Sequence, residues 1–173
     1  MEITTNNKGI LEINNARLVY RNFQGRGDKF NREGDRNFSV VIPNQEIADQ
    51  LLAAGWNLKI KASRDDQELP FITLPVKIKF NDRGPACYLV ANGNVTRLSE
   101  DMVGIIDDID IESVDLDVRP YDWEINGKSG RTAYLQGISV TQKVDRFAER
   151  FARANNPDTP FGDSPILKPI PTI

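Results

Sequence analysis

The chain has 173 residues, 39% of them hydrophobic and 27% charged, with a net charge of −3, which suits one domain with a real core and not a disordered or fibrous chain. It has no histidine and one cysteine, Cys87; this excludes a Ser-His-Asp triad, imidazole acid–base chemistry, His-containing metal sites, a zinc ribbon and an intrachain disulfide. No apolar run approaches the roughly 20 residues of a membrane span.

In chain order, Met1 to Gly9 is polar and lacks the pattern of a signal peptide. With the lone thiol, this points to the cytoplasm. Glu12 to Phe23 reads as a strand in which Ala16, Leu18 and Tyr20 alternate with Arg17, Val19 and Arg21. Gln24 to Asp35 is a polar loop with Gly25, Gly27 and Gly34 as turn residues. Arg36 to Ile42 is a second strand with Phe38, Val40 and Ile42 inward. Asn44 caps a helix over Gln45 to Ala54 with a stripe of Ile47, Leu51 and Ala54, and Gly55 stops it. Trp56 to Ala62 alternates with Asn57, Lys59 and Lys61 outward; Ile72 to Phe80 does so with Lys77 and Lys79 outward, and Pro75 marks a bulge or an edge. Ala86 to Ala91 is a further strand, and Ser99 opens a short helix to about Asp107. Ile109 to Val118 is a strand whose outer face carries Asp115 and Asp117. Asn126 to Gly130 turns Arg119–Glu124 into Arg131–Thr141 as a hairpin. Val144, Phe147, Ala148, Phe151 and Ala152 follow helical spacing.

The pattern predicts a mostly β fold: an OB-like curled sheet or barrel of six or seven strands, with one inserted helix and a C-terminal helix; a sandwich fits the pattern almost as well. The domain is expected over residues 1–154. Five of the ten prolines fall in residues 155–173, which reads as a flexible tail.

Charge is unevenly spread. Leu98 to Glu124 holds ten acids and one base, Arg119, a local −9 that leaves +6 on the rest. The basic side is where binding is expected, since a polyanion feels local potential rather than the net sum. Arg17 to Phe38 interleaves six cations with Tyr20, Phe23, Phe30 and Phe38 against three acids. Cations for phosphates and flat faces for unstacked bases are what a single strand requires, whereas duplex DNA calls for a basic helix that is not evident here.

Phe38 belongs to the core by its alternation. Tyr20 suits core or ligand equally. Phe23 and Phe30, at a strand end and in a polar loop, are expected to contact ligand, with Arg21, Arg26, Lys29, Arg32 and Arg36 around them. Lys59, Lys61, Lys77 and Lys79 form a positive face if their strands pair; otherwise they serve solubility and discourage edge pairing. Arg119, Tyr121, Trp123, Lys128 and Arg131, with Tyr134 beyond, make a hairpin like an OB-fold binding loop. Asp107, Asp108, Asp110 and Glu112 could hold Mg²⁺ for nuclease chemistry, but a repelling outer face is the simpler reading.

Asn22-Phe23-Gln24-Gly25-Arg26, Lys29-Phe30-Asn31-Arg32-Glu33-Gly34, Arg36-Asn37-Phe38, Gly55-Trp56-Asn57 and Arg119-Pro120-Tyr121-Asp122-Trp123-Glu124 resemble a family of small phage-encoded single-stranded-DNA-binding proteins, over about residues 10–150. The resemblance implies an OB-like fold and a non-enzymatic, sequence-tolerant role in phage DNA replication or recombination in the host cytoplasm. It implies single-stranded DNA as partner, replication or recombination proteins as further partners, and no cofactor or metal. It puts Phe23, Arg26, Lys29, Phe30, Arg32, Arg119 and Trp123 at motif positions. The tail departs from the usual acidic terminus, since Asp158-Thr159-Pro160-Phe161-Gly162-Asp163 is mildly acidic and internal. The competing reading is a protein-interaction or host-inhibitory factor acting through that tail.

Overall fold

Period-two runs of apolar residues build a sheet because alternate side chains reach the same face. The computed structural model, which describes residues 1–65, 69–144 and 147, contains ten strands: β1 (Glu2–Thr5), β2 (Leu11–Asn14), β3 (Leu18–Asn22), β4 (Arg36–Ile42), β5 (Lys59–Lys61), β6 (Phe71–Ile78), β7 (Ala86–Ala91), β8 (Asn94–Leu98), β9 (Ile111–Ile125) and β10 (Lys128–Gln142). The α-helix α1 (Gln45–Ala53) lies between β4 and β5, and a 3₁₀ turn spans Val103–Asp107.

The sheet runs β1-β2-β9-β10-β6-β4-β3, with β5 added to β6 and the β7–β8 hairpin added to β10. This is a curled, open sheet and not a closed barrel. The long strand β10 lies antiparallel to β9 but parallel to β6 and then to β7. Phe38, Val40 and Ile42 of β4, Ile72, Leu74, Val76 and Ile78 of β6, Val114, Leu116 and Val118 of β9, and Ala133, Leu135, Ile138 and Val140 of β10 bury one face of it. Ala48, Leu51 and Trp56 join the same core.

Several expected elements differ in extent. The predicted strand Glu12–Phe23 is two strands, because Asn15 (φ 54°) breaks it and Ala16 N–H turns to Val114 O. Tyr20 also has φ 54° and sits in a register irregularity between Val19 and Asn22. The helix starts as expected, with Asn44 Oδ1 accepting from Ile47 N–H at 2.9 Å, and Gly55 (φ 93°) ends it. Its buried residues are Ala48 and Leu51, whereas Ala54 is exposed. From Trp56–Ala62 only Lys59–Lys61 is strand; Ile60 stays 51% exposed because β5 is an edge. The helix from Ser99 is instead the 3₁₀ turn. β1 and β8 were not expected, though Asn92-Gly93, both at positive φ, is a two-residue hairpin turn.

The strand predicted over Ile109–Val118 and the segment Arg119–Glu124 form one continuous β9. Its pairing with β2 ends at Val118, so Pro120 and its missing N–H lie beyond that partner. The turn to β10 is Asn126-Gly127 alone. Of the predicted C-terminal helix only Val144 and Phe147 are described, and the proline-rich tail lies outside the described residues.

Candidate nucleic-acid interface

The face of the sheet opposite the core is set by register. On β4 and β6, Asn37 pairs with Lys77, Ser39 with Pro75 and Val41 with Thr73. On β5, Lys59 pairs with Thr73 and Lys61 with Phe71. Lys77 is also beside Tyr134 of β10, which is opposite Arg119 of β9, and Tyr121 is opposite Thr132. Strand alternation therefore gathers Lys59, Lys61, Lys77, Arg119, Tyr121, Trp123 and Tyr134 on one face. No acid occupies any of these paired positions.

Short side chains, Ser39, Thr73 and Pro75, form the floor at the middle of this face. Tyr20, 61% exposed, reaches in from β3, and Lys61 reaches in from the opposite flank, its Nζ 5.7 Å from the Tyr20 ring centre. At the other end Arg119 lies 5.1 Å over the Tyr134 ring, and Tyr121 meets Tyr134 edge-on at 6.0 Å. Of the sequence-predicted lysine ladder, all four residues are exposed, but β5 pairs with β6 at Phe71–Thr73, so Lys59 and Lys61 lie at one end of the face, Lys77 toward the other, and Lys79 just beyond β6.

The loop after β3 is tied to the same end of the face. Asn37 Nδ2 donates to Asn31 Oδ1 at 2.8 Å, beside Lys77. Asn22 braces the loop from within: its Nδ2 donates to Arg26 O and its Oδ1 accepts from Arg26 N–H. Gly25, at φ 75°, accepts from Gly34 N–H at 2.7 Å and closes the loop base. Asp28 Oδ1 accepts from the N–H groups of Phe30 and Asn31, and these bonds hold its carboxyl below the usual carboxylate range. The resulting tight tip thrusts Phe30 outward at 86% exposure, with Lys29 Nζ 5.8 Å from its ring. Arg32 is exposed beside it. Arg26 is exposed and lies 3.6 Å from Asp108.

One predicted contact, Phe23, is corrected, and three predicted arginines are found with partners inside the fold. Phe23 is fully buried and stacked on Phe38 at 5.0 Å, so it presents no face to a base. Arg21 donates to Ile106 O and Ile109 O at 2.7 and 2.8 Å, pinning the 3₁₀ segment to β3. Arg36 bridges Glu100 at 3.2 Å, packs over Phe80, and keeps only 18% of its side chain exposed. Arg131 makes a two-pronged bond to Asp122, donates to Ala54 O and lies over Trp56. These bonds tie the three guanidinium groups to neighbouring parts of the fold. The Arg131 guanidinium in turn depresses the Asp122 carboxyl.

Trp123 is half-buried. Its Nε1–H donates to Thr132 Oγ1 at 3.1 Å and its ring crosses Gly130, where a Cβ would lie 2.5 Å from Cζ2. Trp123 is thus fixed flat on the hairpin by two neighbours. Lys128 is exposed by the hairpin turn. Sequence reading did not single out Asn31, Asn37 and Thr132, and left Tyr134 undecided. Counting back from the Asn126-Gly127 turn sets Tyr134 opposite Arg119, a signal that was available.

Several residues of the acidic segment hold backbone groups of neighbouring elements. Asp107 accepts from Phe23 and Gln24 N–H, and Asp115 from Asn15 N–H. Among the described residues no group of three acids or cysteines could hold a metal ion. Asp115 and Asp117 share the outer face of β9 with Arg119 and Tyr121, so that strand passes from acidic to basic between residues 117 and 119. Burial and the nearby Glu12 raise the Asp117 carboxyl.

Residues 3–168 match the protein family described as "Putative phage ssDNA-binding domain". The chain belongs to that family. The single-stranded DNA-binding protein from bacteriophage Enc34 shares the fold, with a TM-score of 0.51 and 10% identity over 85% of this chain and 93% of that chain. Its C-terminal truncation aligns at 0.50 with 13% identity, covering 80% and 88%. The same Enc34 protein in complex with ssDNA aligns at 0.48 with 13% identity, covering 82% and 90%. No curated protein matches the chain. This phage ssDNA-binding domain has, among its described residues, no helix long and apolar enough to cross a membrane.

Proposed function

We propose that the protein binds single-stranded DNA without sequence preference along the outer face of β3, β4, β6, β10 and β9, and serves phage DNA replication or recombination in the host cytoplasm, with residues 1–154 as the binding unit. The observation that carries this reading is the placement on one sheet face of the exposed Tyr20, Lys61, Lys77 and Tyr121 and the half-exposed Arg119 and Tyr134, at the two ends of a floor of short side chains. Lys59, Lys61, Lys77 and Arg119 run beside the phosphates, joined by Arg26, Lys29 and Arg32 of the loop. Tyr20, Phe30, Tyr121 and Trp123 offer stacking surfaces. The contacts are to backbone charge and ring faces, both of which every base provides. The family to which the chain belongs supports the class of ligand; the register supports the path.

The test is fluorescence titration with oligo-dT at several salt concentrations. Tyr121→Ala is expected to weaken binding by about 5- to 160-fold, the loss of one stacked base at roughly 1–3 kcal/mol. Lys77→Ala should flatten the salt dependence by about 0.7 in the log–log slope. RNA and duplex DNA of equal length, used as competitors, define the preference. Undiminished binding by the double variant Tyr121→Ala, Lys77→Ala would remove this face as the binding surface.

A further inference from the structure

β10 changes partner along its length. It pairs with β6 at Ala133 and Tyr134, then with β7 from Gly137 onward. Between these, β6 and β7 diverge around the turn Asn81–Pro85, and a cleft of about 480 Å³ opens at the fork. Lys79, Arg83 and Arg119 line it, together with Asn81, Gly84 and Gln136, and no carboxylate does. Among the described residues none of the three cations has an ion-pair partner. Like charges converging on one cleft repel unless an anion sits between them.

The cleft is also well fixed. Asn81 and Gly84 exchange backbone bonds at 2.9 and 3.2 Å, and Asn81 Oδ1 accepts from Arg83 N–H at 2.8 Å. Gln136 is the extra residue at the register shift of β10, left exposed by the bulge. Guanidinium groups match the paired oxygens of a phosphate, the anion that a single strand carries at every nucleotide. Arg119 belongs both to this cleft and to the aromatic face, so a strand crossing Tyr134 leads into it.

We infer that the fork between β6 and β7 is a phosphate-binding site, with Arg83 as its outer ligand, that holds an internal phosphodiester of the single strand where it leaves the sheet face. The inference rests on the proposed binding face. Arg83 extends the phosphate track past Arg119 and turns the strand toward the β6–β7 turn.

The experiment measures the log–log salt dependence of affinity for a long oligo-dT, with a 5′-hydroxyl and with a 5′-phosphate. Arg83→Ala should lower the slope by about 0.7 on both oligonucleotides, and Arg83→Lys should restore it. Arg97→Ala, a cation over Tyr88 on the β7–β8 hairpin, should leave the slope unchanged. Tyr121→Ala should lower affinity with the slope intact. An unchanged slope for Arg83→Ala beside a weakened Tyr121→Ala overturns the fork site and spares the face. No effect of Tyr121→Ala overturns the face itself. An equal slope loss for Arg97→Ala, or a loss confined to the 5′-phosphorylated oligonucleotide, overturns the assignment to an internal phosphodiester.

Discussion

Phe23 and Phe30 stand seven residues apart in successive sequence motifs, yet alanine at each should produce opposite phenotypes. Phe23 is fully buried and stacked on Phe38 with rings 8° from parallel. Truncating a buried Phe removes transfer energy and leaves a cavity, about 3–5 kcal/mol in typical cores. That is a large part of a domain stability of about 5–15 kcal/mol. For a chain of this length each kcal/mol moves Tm by about 2–4 °C, so a fall of roughly 6–20 °C is expected. Phe30, 86% exposed, has almost no burial to lose, and its replacement should stay within about 0.5 kcal/mol in stability. Its loss should appear in binding, at roughly 1–3 kcal/mol if one base stacks on it. Thermal unfolding by circular dichroism and oligo-dT titration, run on both variants, read the two quantities separately. Equal Tm losses would refute the burial argument. An unchanged oligo-dT affinity for Phe30→Ala would refute the assignment of its ring to the ligand.

Gly130→Ala should displace the Trp123 ring and break its 3.1 Å bond to Thr132, costing about 1 kcal/mol; red-shifted tryptophan emission and weaker oligo-dT binding are expected, with Ser129→Ala as the neutral comparison. Asp117→Asn should raise Tm at neutral pH. Burial and Glu12 raise the folded-state pKa of Asp117 above its unfolded value, so the wild-type protein is favoured by protonation at low pH and loses that benefit as pH rises through the folded value. The gain from Asn should therefore shrink as pH falls through the carboxylate range; a gain independent of pH would show that charge is not its cause.

The local features were legible because their causes are local. Asn44 and Gly55 bracket the helix, since capping and positive φ are properties of single residues. The strands β4 and β7 are readable at their full extent, β4 from the alternation of Phe38, Val40 and Ile42 and β7 as an unbroken apolar run between turns. Lysine pairs spaced by two announced an outward face. What the sequence does not carry is whether a face finds a partner: Ala54 of the helix stripe is exposed, and Ile60, on the side of β5 opposite its lysines, is left open at the sheet edge. The strand β1 had no apolar signature and forms by pairing with β2. The Asn92-Gly93 turn was a local signal that went unused.

From its sequence alone, the chain is a mostly β domain whose positive charge and spare rings cluster away from a run of carboxylates. Composition and alternation suffice for that, because they report what each residue prefers. Tertiary structure decided which basic and aromatic residues remain available. Arg21, Arg36 and Arg131 look like Arg26, Arg32 and Arg119 in the sequence, but carbonyls and carboxylates of the 3₁₀ segment and its flanks, the helix end and the neighbouring hairpin strand engage the first three. Likewise Phe23 falls inside and Phe30 outside. Availability depends on which turns, helix ends and neighbouring strands the fold sets beside each side chain, and most of these lie far away in the chain.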